Sequence, residues 1–139
     1  MTTAEEFKQF NGPLIEEFRA NAGKVEGWGS ALLLLTTIGA KSGQPHTTPL
    51  VHSVDGDRMI VLAAARGAHR HPAWYHNLVA QPEVTVEYNG EILRMRATAA
   101  EGEEYERLYK QHIEKFPAVA EYQETTTRQV PIVILARLD

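Results

Sequence analysis

Thr36-Thr-Ile-Gly-Ala-Lys-Ser-Gly-Gln-Pro-His-Thr-Thr-Pro-Leu50 follows the unbroken apolar run Ala31-Leu-Leu-Leu-Leu35 and leads into a β-branched, apolar run from Thr47 to Val54. This order reads as two strands joined by a glycine-bearing loop. The first strand, Ala31 to Ile38, should be buried on both faces, because its apolar run is not interrupted by polar residues. In the loop, Gly39 and Gly43 bracket Lys41 and Ser42. That spacing predicts positive φ at both glycines, with a lysine, a hydroxyl and several unpaired backbone N–H groups pointing the same way, a cradle suited to phosphate. An ordinary strand connection with a solvated lysine has the same local pattern, so the loop alone does not fix its ligand.

Working outward, Thr47 to Val54 and Arg58 to Ala64 read as strands joined across Asp55-Gly56, with Pro49 marking an edge or a bulge. Glu83 to Tyr88 and Glu91 to Ala99 form a hairpin around Asn89-Gly90. Its two-residue loop pairs Val86 with Leu93 and Val84 with Met95 on one face, and Thr85 with Arg94 and Glu83 with Arg96 on the other. Val130 to Leu138 is a last strand. Helical periodicity covers Thr3 to Asn21, Pro72 to Ala80, the stretch from Gly102 to Phe116 and a short piece from Ala118 to Glu124. Pro13 predicts a kink in the first helix or two short helices. About six mostly antiparallel strands with flanking helices indicate an α+β fold, a small closed or partly closed barrel. The expectation is one domain over 1–139, with 1–26 as an N-terminal helical segment.

Composition narrows the function. The 139 residues include no cysteine, which excludes disulfides, a thiolate nucleophile and Cys-ligated zinc or iron–sulfur clusters; no metal site is expected. No apolar run approaches the ~18 residues of a membrane span, and the opening Met-Thr-Thr-Ala-Glu-Glu-Phe-Lys lacks the pattern of a signal peptide. The expectation is a cytoplasmic protein whose first helix either packs on the core, covers a ligand or touches a membrane surface. A net charge of −4 argues against nucleic-acid binding. Yet between Gly27 and Pro82 four cations, Lys41, Arg58, Arg66 and Arg70, face only Asp55 and Asp57, and five of the six histidines lie in the same window. A small anionic ligand suits such a middle; a nucleic-acid backbone would need more charge.

The helix Pro72 to Ala80 carries Trp74, Asn77 and Leu78 on one stripe. An amide on an inward stripe needs partners, and Asn77 has two readings: it caps backbone of the adjacent loop, or it helps hold a ligand.

Taken together, Gly39-Ala-Lys-Ser-Gly-Gln-Pro-His-Thr-Thr-Pro-Leu50, Gly67-Ala-His-Arg-His-Pro-Ala-Trp-Tyr-His-Asn-Leu-Val-Ala-Gln-Pro-Glu-Val84, Phe116-Pro-Ala-Val-Ala-Glu-Tyr-Gln123 and Arg128-Gln-Val-Pro-Ile-Val133 resemble the deazaflavin-dependent nitroreductase family of actinobacteria. The likeness runs from about Gly29 to Arg137 and is most specific in the K-S-G-x-P loop and the H-P-A-W-Y-x-N-L helix. It implies a split β-barrel and an oxidoreductase that passes a hydride from reduced coenzyme F420, an 8-hydroxy-5-deazaflavin with a ribityl phosphate and an anionic tail, to a quinone, an activated enone or a similar electron-poor small molecule. The cofactor-binding residues it implies are Lys41, Ser42, Gly43, His46, Thr48, Pro49, Ala64, Ala65, Arg66, Trp74 and Asn77; the proton comes from Tyr122, the candidate catalytic residue, or from water, and the other reading of Tyr122 is a ring that closes the core. This chain departs from the family at Ala40 and His46, where relatives often carry arginine, and at Ala65, a common lysine; fewer cations should weaken the hold on the tail. Phe116 and Val119 stand where the nitroimidazole-reducing member has tyrosines, which argues against that activity. Flavin mononucleotide in the same groove is the second choice of cofactor. A cofactor or lipid carrier without turnover is the non-enzymatic alternative.

Overall fold

In the computed structural model the described residues are 3–27, 31–63, 71–124 and 129–138, with the side chains of 3–11, 119 and 122 outside the described set. The apolar run after Ala31 forms β1 (Leu32–Ile38), which pairs antiparallel with β2 (Pro45–Val51), setting Leu35 opposite Thr48 and Thr37 opposite His46. Then follow β3 (Ser53–Asp55), β4 (Arg58–Leu62), α2 (Ala73–Ala80), β5 (Glu83–Tyr88), β6 (Glu91–Ala99), α3 (Gly102–Lys115), a 3-10 turn (Pro117–Val119), α4 (Ala120–Glu124) and β7 (Ile132–Arg137), all preceded by α1 (Thr3–Ala20).

The seven strands form one sheet in the order β2-β1-β5-β6-β7-β4-β3. Its two edge strands, β2 and β3, are consecutive in the chain and separated by a single residue, His52. A sheet whose opposite edges are joined by one residue must curl until those edges meet, and the result is the split barrel expected from the resemblance. The continuous strand expected from Thr47 to Val54 is therefore two strands with different partners, β2 on β1 and β3 on β4. At the corner, the His52 N–H and its ring Nδ1–H both reach the Ala31 carbonyl, at 3.0 and 2.8 Å. Pro49 sits in the edge strand β2, where a missing N–H breaks no second ladder.

The β5–β6 hairpin has the expected register, Val84 on Met95 and Val86 on Leu93, with Asn89 and Gly90 both at positive φ in the turn. Alternation sends Leu33 and Leu35 of β1, Val84 and Val86 of β5, Met95 and Ala97 of β6 and Val133 and Leu135 of β7 into the barrel interior, where α2 adds Trp74 and Leu78. Each fully buried side chain of this kind contributes roughly 1.5–3 kcal/mol relative to exposure. The outer faces are covered by helices. Phe18, Leu14 and Ile15 of α1 pack on Leu32 and Leu34, so β1 is buried on both sides; Leu108, Tyr105 and Tyr109 of α3 pack on Ile60, Ile132 and Ile134. Of the two forms Pro13 allowed, two separate helices do not occur: α1 is one helix with Pro13 at an exposed position inside it.

α3 also buries His112, whose Nδ1 meets the Ser53 hydroxyl at 2.8 Å, while its Nε2 has no partner among the described residues. Burial, then the Lys115 ammonium and His52, push the His112 imidazolium down to about 4 from its ordinary 6.5. Above pH 6.5 the ring is neutral in folded and unfolded chains alike. As pH falls from 6.5 towards 4 only the unfolded chain takes up the proton, so stability should decline across that window and this group's effect should level off below it. Asp55, held at about 2 by Arg107 and Arg58 against 3.8 when unfolded, adds its own loss at the acid end of the range, but equally in wild type and in a His112 variant. Thermal melts from pH 7.5 to 4 should show the decline in wild type and a flatter curve in His112→Gln; equal slopes would exclude His112 as the source.

Candidate functional site

Between β1 and β2 the loop Gly39–Gln44 is closed by two backbone bonds, the Gly39 N–H donating to the Gln44 carbonyl at 2.8 Å and the Gly43 N–H to the Gly39 carbonyl at 2.9 Å. The Gln44 N–H reaches Ser42 Oγ at 3.2 Å, and the Ala40 N–H reaches Asn77 Oδ1 at 3.0 Å. Every loop N–H is then accounted for except those of Lys41 and Ser42, two successive donors with no protein partner among the described residues. Successive free N–H groups make a concave anion site. The Ser42 hydroxyl accepts from Gln44, so its own hydrogen is free for a ligand, and the exposed Lys41 supplies a full charge.

The glycines serve differently from the expectation. Gly43 has φ +70, as the turn requires, but Gly39 is not in the left-handed region. Its need is space: a Cβ there would lie 2.4 Å from Ser42 Oγ and 3.0 Å from His46 Nε2. Both side chains therefore lean over Gly39, which places His46 beside Ser42 at the loop.

Residues opposite each other in a ladder share a face, so His46 and Thr48 lie on the inner face with Thr37 and Leu35. Pro49, opposite Leu34, lies on the outer face, away from the residues it was grouped with. On α2, Trp74 and Asn77 are buried, 7% and 8% exposed. Of the two readings for Asn77 the structure contains the loop cap: Oδ1 accepts from Ala40, and Nδ2 donates to Thr37 Oγ1 at 3.2 Å. Trp74 packs in the barrel core and presents little more than an edge. Ala64, Ala65 and Arg66 lie outside the described residues, as does the Tyr122 side chain; the helix that carries Tyr122 is anchored where the Val130 N–H meets Gln123 Oε1 at 2.8 Å.

Thus Lys41, Ser42, Gly43, His46 and Asn77 converge on one loop. Among the described residues no group of three or more His, Asp or Glu side chains could hold a metal ion. Two clefts among the described residues, about 650 Å³ beside Glu17 and Lys24 and about 360 Å³ between Tyr105 and Gln129, are lined by no loop residue. Sequence reasoning missed His52 and the Asn77–Thr37 bond; a buried amide on the stripe of Trp74 was the only signal for the second.

The split barrel is a fold shared with solved F420-H2 dependent reductases. A solved F420-H2 dependent reductase is 37% identical, with a TM-score of 0.70, covering 76% of this chain and 93% of that one. A second solved structure, described as a domain-swapped dimer, is 32% identical with a TM-score of 0.73 and covers 96% of this chain and 99% of that one. An F420H(2)-dependent quinone reductase of Mycobacterium tuberculosis is 38% identical over 109 residues, 76% of this chain and 72% of that protein. Residues 14–137 match the family model of F420H(2)-dependent quinone reductases, and the chain belongs to that family of oxidoreductases.

Proposed function

We propose that this chain transfers a hydride from reduced coenzyme F420 to a quinone, with the coenzyme's phosphate seated on the Lys41–Ser42 loop. The observation that carries the reading is the pair of unpartnered N–H groups at Lys41 and Ser42, beside a free hydroxyl hydrogen and an ammonium. These donors fit a phosphate, which needs several convergent N–H and O–H groups and gains from a nearby cation. When bound, the reduced deazaflavin supplies the hydride.

The protein's part is to bind, orient and supply a proton. Lys41 and Ser42 fix the phosphate end. His46 and Thr48, on the inner face of β2, extend the polar surface from the loop along the strand. A quinone that accepts a hydride becomes a hydroquinone anion and needs a proton; Tyr122 on α4 is our candidate donor, with water as the alternative source. Within the loop Ala40 brings no charge, so Lys41 is the cation between Gly39 and Gln44.

Among the described residues no helix is long and apolar enough to cross a membrane. Leu14, Ile15 and Phe18 of α1 are engaged with the barrel.

Lys41→Ala and Ser42→Ala should each weaken coenzyme binding by roughly 1–3 kcal/mol, the range for a charge-assisted hydrogen bond, while leaving the melting temperature near wild type. Titration with raised salt should reproduce part of the Lys41 effect, since an exposed cation is screened. Unchanged affinity in both variants would remove the Lys41 and Ser42 side chains from the site. For the proton, Tyr122→Phe should lower quinone turnover several-fold with coenzyme affinity intact; full turnover would assign the proton to water.

A further inference from the structure

Asn77 does more for the loop than fill a place beneath it. It is 8% exposed, and each end of its amide is committed: the Ala40 N–H donates to Oδ1 at 3.0 Å, and Nδ2 donates to Thr37 Oγ1 at 3.2 Å. Thr37 is fully buried near the end of β1, opposite His46. The carboxamide thus joins the end of β1 to the first residue after Gly39, and it does so from α2.

Two consequences follow from hydrogen-bond counting. By taking the Ala40 N–H, Asn77 leaves only the Lys41 and Ser42 N–H groups to face an anion, a register that a freed Ala40 amide would shift. By holding Thr37 as well, it locks the base of the loop to α2, where Trp74 and Leu78 are anchored in the core. An anion site made of backbone N–H groups works only while the backbone is held in its binding shape, because a loop that must be reordered gives up binding energy to conformational entropy.

We infer that Asn77 is a positioning residue for the phosphate of the coenzyme, acting through the Ala40 amide and Thr37 rather than by touching the ligand; this rests on the function proposed above. The distinguishing ligand is the deazaflavin ribityl fragment that lacks the phosphate and tail. A residue that acts through the phosphate loop affects binding of the whole coenzyme and spares the fragment.

The test compares wild type, Asn77→Ala and Thr37→Val by titration with coenzyme F420 and with the fragment, alongside hydrogen exchange at the Ala40 amide. Asn77→Ala should weaken coenzyme F420 by about tenfold or more, the worth of one to two hydrogen bonds, and change fragment affinity by less than about twofold. Its Ala40 amide should lose protection while the amides of β1 keep theirs. Thr37→Val keeps volume and removes the Nδ2 partner, so it should shift coenzyme affinity in the same direction by a smaller factor; it also serves if Asn77→Ala does not fold. Equal losses for coenzyme and fragment, unchanged coenzyme affinity, or an Ala40 amide that stays protected would each overturn the proposal. A wild type that binds neither molecule would instead overturn the proposed function, and the Ala40 exchange result would still judge the tie.

Discussion

The barrel depends on a connection one residue long. Because β2 and β3 stand at opposite edges of the sheet and only His52 lies between them, the sheet has no choice but to roll up, and everything else is arranged around that closure. His52 holds the corner through the Ala31 carbonyl, Ser53 begins the next strand with its hydroxyl on His112, and Lys115 reaches the His52 carbonyl at 3.4 Å. One end of α3 is thereby fastened to the seam. Burial, with the Lys115 ammonium nearby, lowers both the His52 and His112 imidazolium pKa values, so both rings favour the neutral form.

Closure creates the inner face on which the site is built. Once β1 and β2 curve inward, Thr37 and His46 look into the mouth of the barrel, and α2 enters with Trp74 and Leu78 as anchors. Asn77 then stands one helical turn from Trp74, close enough to hold the connecting loop. The apolar anchors and the polar tie are the same helix face put to two uses: the first places the helix, and the second holds the Ala40 backbone of the loop. The side chains that would touch a ligand, Lys41 and Ser42, hold little of the fold together, which is why binding and stability separate in the expected behaviour of their variants.

Local signals carried the parts of the structure whose causes are local. Asn89-Gly90 and the alternation on either side set the β5–β6 register, because a two-residue turn with both residues at positive φ allows only one pairing. The Ala31–Leu35 run announced a doubly buried strand for the same reason. The break at His52 is not legible: Val51-His-Ser-Val54 carries neither glycine nor proline to mark a corner, and the change of partner is decided by where β4 and β1 lie. Gly39 was singled out correctly and explained wrongly, since its constraint comes from Ser42 and His46 folding over it rather than from φ. Asn77 offered two readings because its partners lie 37 and 40 residues away, a distance over which periodicity carries no information.

On the function proposed above the loop seats a phosphate, and flavin mononucleotide carries one too, so the central claim turns on which ring the barrel selects. A single equilibrium titration of the wild-type protein, with coenzyme F420 and flavin mononucleotide under identical buffer and salt, measures that directly. Saturable binding of coenzyme F420 with at least about tenfold preference over flavin mononucleotide is the result this account predicts. Equal or tighter binding of flavin mononucleotide, or no binding of coenzyme F420, would contradict it.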